Sequence, residues 1–573
     1  MRYGVLAVDY DGTLAEAGRL GDDVRGALAV TREAGVTIVL VTGRRLADLR
    51  RVAGDLSFAD AIVAENGAAL TFPESGRSMR LHGPPPPAFS AALRARGVDA
   101  VDGDCLVETP AEAAPIVLDV VRTLELPLAL AFNRSRLMIL PQAVSKATGL
   151  REALAALRLS AHNALAIGDA ENDHALLEAA EVGVAVRWGS PALAAAADLV
   201  LEGHGPDDVA AFLRARAALR DLPATNGRRQ VLLGHDPLRP LALAVRDRNV
   251  LVSGDPRSGK SWVAGLLSEQ LMLARYAVAI VDPEGDYRTL EALPGVHVAG
   301  EDHPPGPGDL ERAFRFPDSS LIVDLSHVGY TQKLDCMGAI LPALARLRQS
   351  RGLPHRIVVD EAHYFLRALD PEVARDLAHG GYTLVTYRPA DLDDAVMRQV
   401  GVIIATRHTD PREAAALARH APVDPAALAA VLATLSVSEA VLLPTAEEAG
   451  GAVVRFKVAP RLTAHVRHRH KYADLPVPRA QQFVFSRAPG LPAAASLAGL
   501  AAMLEQLPTA AVDHHLRHHD FSRWLADVFR DEALARAVRD VEHGWRSGRA
   551  TDAAGAIVGA IRERYDLKGS PVS

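Results

Sequence analysis

Cysteine is almost missing from this chain. Only Cys105 and Cys336 occur among 573 residues, far apart and outside any CxxC spacing, so neither a disulfide framework nor a cysteine zinc site is available. That fits a reducing cytoplasm. Long apolar stretches are missing as well. No uninterrupted apolar run approaches the ~20 residues that a spanning helix needs, and the N-terminus reaches Asp9 and Asp11 too soon for a signal peptide. The expectation is a protein with no membrane contact. The third absence is a basic excess. A net charge of −7 excludes a chain that is basic throughout and confines any nucleic-acid contact to a local patch or the lining of a ring. What remains is a globular balance, 49% hydrophobic and 23% charged. At ~100–200 residues per domain the length calls for three or four domains.

The stretch 249–261, NVLVSGDPRSGKS, organises the middle of the chain. Its apolar run 250–252 predicts a strand, and WVAGLLSEQLMLA beyond it carries apolar residues at helical spacing. Between them lie Gly254, Asp255, Pro256, Arg257, Ser258, Gly259, Lys260 and Ser261. In such a GxxxxGKS loop the glycines let backbone N–H groups turn onto a phosphate, and the helix N-terminus adds partial positive charge. Lys260 then reaches the β- and γ-phosphates and the Ser261 hydroxyl can ligate Mg²⁺, so the loop calls for a nucleoside triphosphate such as ATP.

A second phosphate chemistry lies upstream. YGVLAVDYDGTLAEAG is an apolar strand ending in Asp9 and Asp11, two residues apart and so able to turn both carboxylates toward one ligand. Two carboxylates side by side repel unless a cation or a proton sits between them. TIVLVTGRR ends a second buried strand at Thr42, VSKATGLREAL places Lys146 before a helix, and NALAIGDAENDHALLE ends a third strand at Asp169, with Asn172 and Asp173 on the turn beyond. These four pieces, in this order over roughly 1–220, resemble the haloacid dehalogenase (HAD) phosphatase superfamily. The resemblance implies that Asp9 attacks phosphorus and that Asp11 protonates the leaving group and then activates water. It implies that Thr42 and Lys146 hold the phosphoryl oxygens. Mg²⁺ would rest on Asp9, the Asp11 carbonyl, Asp169 and Asp173. AIVAENGAAL reads as another core strand. The span from about 82 to 142 then fits a cap, as in the Cof-like branch (type IIB), which favours a small phosphorylated metabolite over a phosphoprotein or nucleic-acid end. The run 84–87 reads as a stiff hinge into the cap, and Asn133 and Arg134 as a solvated turn in preference to a pair facing the substrate.

Past a Pro-Asn-Gly break near 223–227, YAVAIVDPEGDYRTLEAL, SSLIVDLSHV and HRIVVDEAHYFL each predict a buried strand. Asp360 is preferred over Asp324 as the acid that orders the Mg²⁺ water shell, because Glu361 follows it and can orient the attacking water. With the P-loop and TLVTYRPADLDDAVMRQVGVIIATRHTDPREAAAL, these residues resemble the HerA-like branch of the HerA/FtsK ring ATPases. The chain departs at Tyr387, where that family has glutamine, and only a short strand-like run, QVLLGHD, stands where HerA has a β-barrel. The resemblance implies a hexameric ring, with DNA as a candidate partner and Arg407 as an arginine finger given to the neighbouring subunit, Arg388 and Arg412 being its competitors.

RLTAHVRHRHKYADLPVP reads as a basic tail and the segments after it as helices, with His514 and His518 in a helix N-terminal region rather than a zinc site. The expected architecture is α/β: a HAD Rossmann-like domain (1–222) with an inserted α+β cap, a RecA-like P-loop ATPase (226–475) and a small α-helical domain (476–573). The expected activity is twofold, a Mg²⁺-dependent phosphomonoesterase and an ATP hydrolase. Two alternatives stay open, a nucleic-acid end-repair kinase/phosphatase and a phosphatase regulated by a nucleotide-binding scaffold.

Overall fold

The computed structural model describes residues 1–133, 135–223, 228–236, 239–300, 303–366, 370–444, 452–464, 477, 479–485, 493–507, 509–529 and 531–565. The basic stretch 465–476 and Arg134 lie outside the described residues.

The N-terminal sheet has eight strands, with Val5–Asp9 near its middle between Ala164–Gly168 and Thr37–Val41. All five residues of Val5–Asp9 are buried, the pattern of a parallel strand covered on both faces, which is why it reads in sequence as an unbroken apolar run. Helices Asp22–Glu33 and Pro206–Leu219 pack together on one face, filling a core of Leu6, Val8, Leu28, Ile38 and Leu213. On the other face Lys146–Leu157 and His174–Ala179 cover Val5, Val39 and Ala166. Six strands are parallel, and Asp9 is in register with Val41, while Val8 is in register with Ile167. The carboxyl ends of three neighbouring strands therefore converge at one edge, where ligands bind in open α/β sheets.

The predicted strand across AIVAENGAAL is in fact two. Ala61–Ala64 ends at a tight turn, Glu65–Gly67, and Ala69–Phe72 returns antiparallel to it. Glu65 and Asn66 both have positive φ (50° and 55°), a left-handed geometry that asparagine and glycine accept more readily than most residues. Beyond a third antiparallel strand, Arg77–Arg80, residues 84–86 carry no regular element and Pro87 opens the helix Pro87–Ala95. That helix and Ala114–Thr123 back a four-stranded antiparallel sheet ordered Leu128–Asn133, Arg136–Pro141, Val107–Pro110, Val101–Asp102. Phe89, Leu93, Val117, Leu137 and Ile139 form its own core, the cap.

The second large sheet has eleven strands. Asn249–Ser253 lies between Val400–Ala405 and Tyr382–Thr386, followed outward by Arg356–Val359, Val278–Asp282, Ser320–Asp324 and Val296–Ala299, all parallel. On the other side four antiparallel strands complete it, ending in the hairpin Val231–Asp236 and Arg239–Leu243. QVLLGHD is thus one arm of a hairpin that extends the sheet. Sequence reading missed the second arm, whose Pro240 suits an edge strand.

Both sheets belong to one compact unit, Met1–Pro283 with Leu290–Thr463. They are joined by specific bonds. His162 meets Glu181 Oε2 through Nδ1 at 2.8 Å and the Ala274 carbonyl through Nε2 at 2.9 Å, and it stacks on Tyr276 at 3.6 Å between centroids. The Tyr276 hydroxyl donates to Glu181 at 2.9 Å. Asn163 Nδ2 donates to the Gly352 carbonyl at 3.2 Å, and Gly352 has φ 74° with no room for a Cβ, which would stand 2.6 Å from Asn163 Nδ2.

The second unit, Glu284–Thr289 with Ala464–Ser573, carries five described helices over a core that includes Leu500, Phe521, Val538 and Ile557. Only the end of the histidine-rich run, His519 and Asp520, opens a helix, and His514 and His518 do not stand at a helix start. His514 and His515 lie in the last turn of Thr509–Arg517, where they suit the negative helix end. His515 bonds Asp520 at 2.8 Å and His519 bonds Glu542 at 3.0 Å, so both serve to join helices. No helix among the described residues is long and apolar enough to cross a membrane.

Candidate functional site

Asp9, the last residue of the central strand, is buried, and so are Asp169 and Asp173. One ligand oxygen from each lies within 4.8 Å of the others, the single group of potential metal ligands among the described residues. Lys146, the first residue of its helix and also buried, donates from Nζ to Asp9 Oδ1 and to Asp173 Oδ1, each at 2.6 Å. Asp173 is fixed by its other oxygen, which accepts from the Asp169 and Ala170 amides at 3.1 and 3.0 Å. Helix Lys146–Leu157 can lie this close because Gly149 has no side chain. A Cβ there would stand 2.4 Å from Val63 Cγ1 and 2.7 Å from Gly67 Cα.

Three carboxylates around one ammonium leave a buried negative excess. Burial pushes the Asp9 carboxyl well above its ordinary range against the pull of Lys146, and Asp173 and Asp169 push the same way. Burial alone would lower the Lys146 ammonium, but Asp173 and Asp9 raise it above its usual value. A hard divalent cation bound by oxygen would relieve the same repulsion without a proton, so the residues fit Mg²⁺.

Asp11 does not join this group. Arg44 clamps it with two bonds, Nε to Oδ2 at 2.5 Å and Nη2 to Oδ1 at 2.7 Å, at the half-buried rim. The Asp11 carboxylate is thus held by Arg44, two residues past Thr42, and not by Lys146. Thr42 is buried and its Oγ1 accepts from the Arg44 amide at 3.1 Å. Arg44 was missed in the sequence, although its place directly behind Thr42-Gly43 was a usable signal.

The cap reaches this edge. A Cβ on Gly43 would stand 3.1 Å from Met138 Sδ and 3.5 Å from Asn133 Nδ2, so Asn133 lies over the site, which favours the substrate-facing reading over the solvated turn. Glu65 is a second missed residue. Its buried carboxylate accepts the Asp104 and Cys105 amides of the cap at 2.9 and 2.7 Å.

The N-terminal part thus has a buried acid triad with a lysine at the carboxyl edge of a parallel sheet, under an inserted cap, and it is similar to the haloacid dehalogenase-like hydrolases. The family model for haloacid dehalogenase-like hydrolases matches residues 6–80 and 128–213, the two stretches on either side of most of the cap. A phosphoglycolate phosphatase of Methanothermobacter thermautotrophicus is 28% identical over 216 residues, 36% of this chain and 96% of that protein. Another, of Methanosarcina acetivorans, is 28% identical over 228 residues, 37% of this chain and 97% of that protein. A solved HAD subclass IIB sugar phosphatase aligns at 18% identity and a TM-score of 0.32, over 38% of this chain and 98% of that one.

The P-loop lies at the end of Asn249–Ser253 and before helix Lys260–Leu273. Gly254 is pressed against its surroundings: a Cβ would stand 1.8 Å from Thr406 Oγ1 and 2.4 Å from Ser258 Oγ. Gly259 has φ 101° and Arg257 φ 65°, so the loop is strongly curved. Asp255 closes it onto the next strand, its Oδ2 accepting from the Thr409 amide and hydroxyl at 2.9 and 2.8 Å. Lys260 and Ser261 are buried, as are Asp360 and Glu361 at the end of Arg356–Val359. Lys260 Nζ lies 3.9 Å from Glu361 Oε1 and 6.0 Å from the Tyr387 ring centre. Glu361 has φ 48°, a conformation that costs of order 1–3 kcal/mol for such a residue and clusters at functional sites. Arg407 lies two residues past the strand Val400–Ala405, and its carbonyl accepts the Asp255 amide at 2.8 Å. Arg407 therefore stands beside the P-loop of its own chain. Pro256 and Ser258 lie within the loop, and the Ser258 hydroxyl meets Thr406 Oγ1 at 2.5 Å.

Proposed function

We propose that the N-terminal domain is a Mg²⁺-dependent phosphomonoesterase for a small phosphorylated metabolite, with phosphoglycolate as the first substrate to test. The observation that carries this reading is the buried Asp9, Asp169 and Asp173 triad with Lys146 held between Asp9 and Asp173. Bound to the triad, Mg²⁺ would supply charge neutralisation for the phosphoryl group. Asp9 attacks phosphorus as the nucleophile and the ester oxygen departs as the P–O bond breaks, taking a proton from Asp11. Asp11 then removes a proton from water as it opens the aspartyl-phosphate. Arg44 holds the Asp11 carboxylate in place, and Lys146 and Thr42 face the phosphoryl oxygens. The cap, reaching Gly43 through Asn133 and Met138, limits substrate size. The test is release of phosphate from phosphoglycolate with Mg²⁺, and its loss in Asp9→Asn.

The central domain we read as an ATP hydrolase of the HerA-like type. Gly254 to Ser261 would cradle the triphosphate, Lys260 would neutralise its β- and γ-oxygens, Ser261 and Asp360 would hold Mg²⁺, and Glu361 would orient water. What supports this is the convergence of Lys260, Glu361 and Tyr387 at one sheet edge. A ring with Arg407 serving the adjacent subunit remains part of the reading. The position of Arg407 beside its own loop supports service in cis equally, and mixing inactive variants separates the two. In that experiment Arg407→Ala and Glu361→Gln subunits restore hydrolysis together only if the arginine acts across an interface.

A further inference from the structure

Between the phosphatase sheet and the P-loop sheet, within the single compact unit that holds both, lies a cavity of ≈ 560 Å³. Small-molecule sites span about 300–1,000 Å³. Its wall contains no residue of the two sites described above, and it is unusually rich in arginine, with seven. Four of these are matched by carboxylates. Arg228 pairs with Asp198 at 2.7 Å, Arg229 with Glu181 at 3.1 Å, Arg246 with Asp247 at 3.1 Å and Arg348 with Asp376 at 2.8 Å. Arg2, Arg220 and Arg356 have no carboxylate partner among the described residues. The N-terminal ammonium of Met1, which pairs with Asp247, lines the cavity too, so eight cationic groups meet five carboxylates, Asp221 included, an excess of three positive charges.

The unmatched groups are positioned by the fold. Arg356 is buried and spends its donors on neutral oxygens: the carbonyls of Tyr382, Val245 and Arg248 at 2.7, 2.6 and 3.0 Å, and Thr383 Oγ1 at 3.0 Å. Burial and then Arg348 push its guanidinium down to about 9, so it is still a cation at neutral pH. It therefore contributes field rather than contact. Arg2 donates to the Gln349 carbonyl, and burial and nearby Arg220 push it down as well. Two cations this near each other are stabilised by an anion between them. His355 supplies an independent sign of a ligand. It is buried and neutral, its Nδ1 accepts the Ala277 amide at 2.8 Å, and the hydrogen therefore sits on Nε2, which has no hydrogen-bond partner. A buried donor without an acceptor is rare in a folded protein unless something absent completes it. Val231, Val245 and Leu271 give the same wall an apolar part.

We propose that this cavity is a third ligand site, taking a phosphorylated organic molecule whose phosphoryl group meets Arg2 and Arg220, accepts from His355 Nε2, and lies in the field of Arg356. Arginine forks match phosphoryl oxygens in pairs, and the net positive wall suits a phosphate dianion. A nucleotide and a phosphorylated metabolite share this chemistry. Because the wall comes from both halves of the unit, occupancy ties the two enzymatic domains to one ligand.

Calorimetric titration of the full chain carrying Lys260→Ala, in EDTA, silences the P-loop and removes metal from the phosphatase. ADP, phosphoglycolate and inorganic phosphate are the probes. One of the two organic phosphates is expected to bind once per chain and to weaken by about tenfold or more when Arg2→Ser and Arg220→Ser are added. ADP and phosphoglycolate separate the two sources. If the double change unfolds the protein, Arg220→Ser alone replaces it, since Arg220 is exposed and makes no side-chain bond among those described. Three results would overturn the proposal: no binding by either organic phosphate at millimolar concentration, binding unchanged in the arginine variants, or inorganic phosphate binding as tightly as the organic probes.

Discussion

At the scale of single residues the two proposed chemistries use different side chains. Asp9 ends a strand of the first sheet and Lys260 opens the helix that follows a strand of the second, so Asp9→Asn should abolish phosphatase turnover and leave ATP hydrolysis intact. Lys260→Ala should do the reverse, and parallel assays of both activities check the pair. Asp11→Asn is expected to lose ~10²–10⁴-fold in kcat, the scale of a general acid and base. Arg44→Met should cost less, since the carboxylate survives and only its two tethers at 2.5 and 2.7 Å are lost. A larger loss for Arg44 than for Asp11 would show that the arginine itself contacts substrate. At the P-loop, Glu361→Gln should bind ATP and fail to hydrolyse it, because its carboxylate acts on water rather than on phosphate.

At the scale of elements, the glycines decide how closely helices approach the sites. Gly149→Ala would drive a methyl into Val63 Cγ1 at 2.4 Å and Gly67 Cα at 2.7 Å, and one of these contacts is backbone. The helix must shift and carry Lys146 with it. The expected result is a destabilisation of about 1–3 kcal/mol, with a fall in phosphatase kcat and no change in ATP hydrolysis, read by urea denaturation and both assays. These relations also explain what the sequence could and could not disclose. Asp9, Lys146, Asp169 and Asp173 were legible because each ends a strand or opens a helix, and strand ends at one sheet edge must converge. Arg44 and Glu65 were not, because their roles come from what faces them: Asp11 in the first case, and in the second the cap amides of Asp104 and Cys105 from a separate part of the chain. The turn within AIVAENGAAL was hidden by its apolar flanks, and the strand Arg239–Leu243 by the proline inside it. Asn133 looked like an exposed turn because nothing local shows that the cap sheet leans on Gly43.

For the whole molecule, two buried histidines link folding to pH. Burial pushes His363 down to about 4 and His355 well below its ordinary range. Both are neutral in the folded chain and would take up protons once unfolded. The stability they confer is therefore complete above about pH 6.5 and is lost as pH falls below it, by up to about 1.4 kcal/mol per pH unit for each. Urea midpoints between pH 7.5 and 5 should fall, and His363→Gln should flatten the slope. A profile as steep in the variant as in the parent would remove His363 as a cause. Assembly is tested at this scale too. If ATP hydrolysis needs a neighbour's arginine, specific activity rises steeply with protein concentration. A profile that is flat down to monomer would place Arg407 in service of its own site.

The claim on which everything else rests is that Asp9, Asp169, Asp173 and Lys146 form a working phosphatase centre. The most direct measurement is phosphate release from phosphoglycolate by the purified full chain, with Mg²⁺ and with EDTA, for the parent and for Asp9→Asn, Asp173→Asn and Lys260→Ala. The account predicts Mg²⁺-dependent release by the parent and by Lys260→Ala, and none by the two aspartate variants. Release that persists in folded Asp9→Asn, or that disappears with Lys260→Ala, would contradict it.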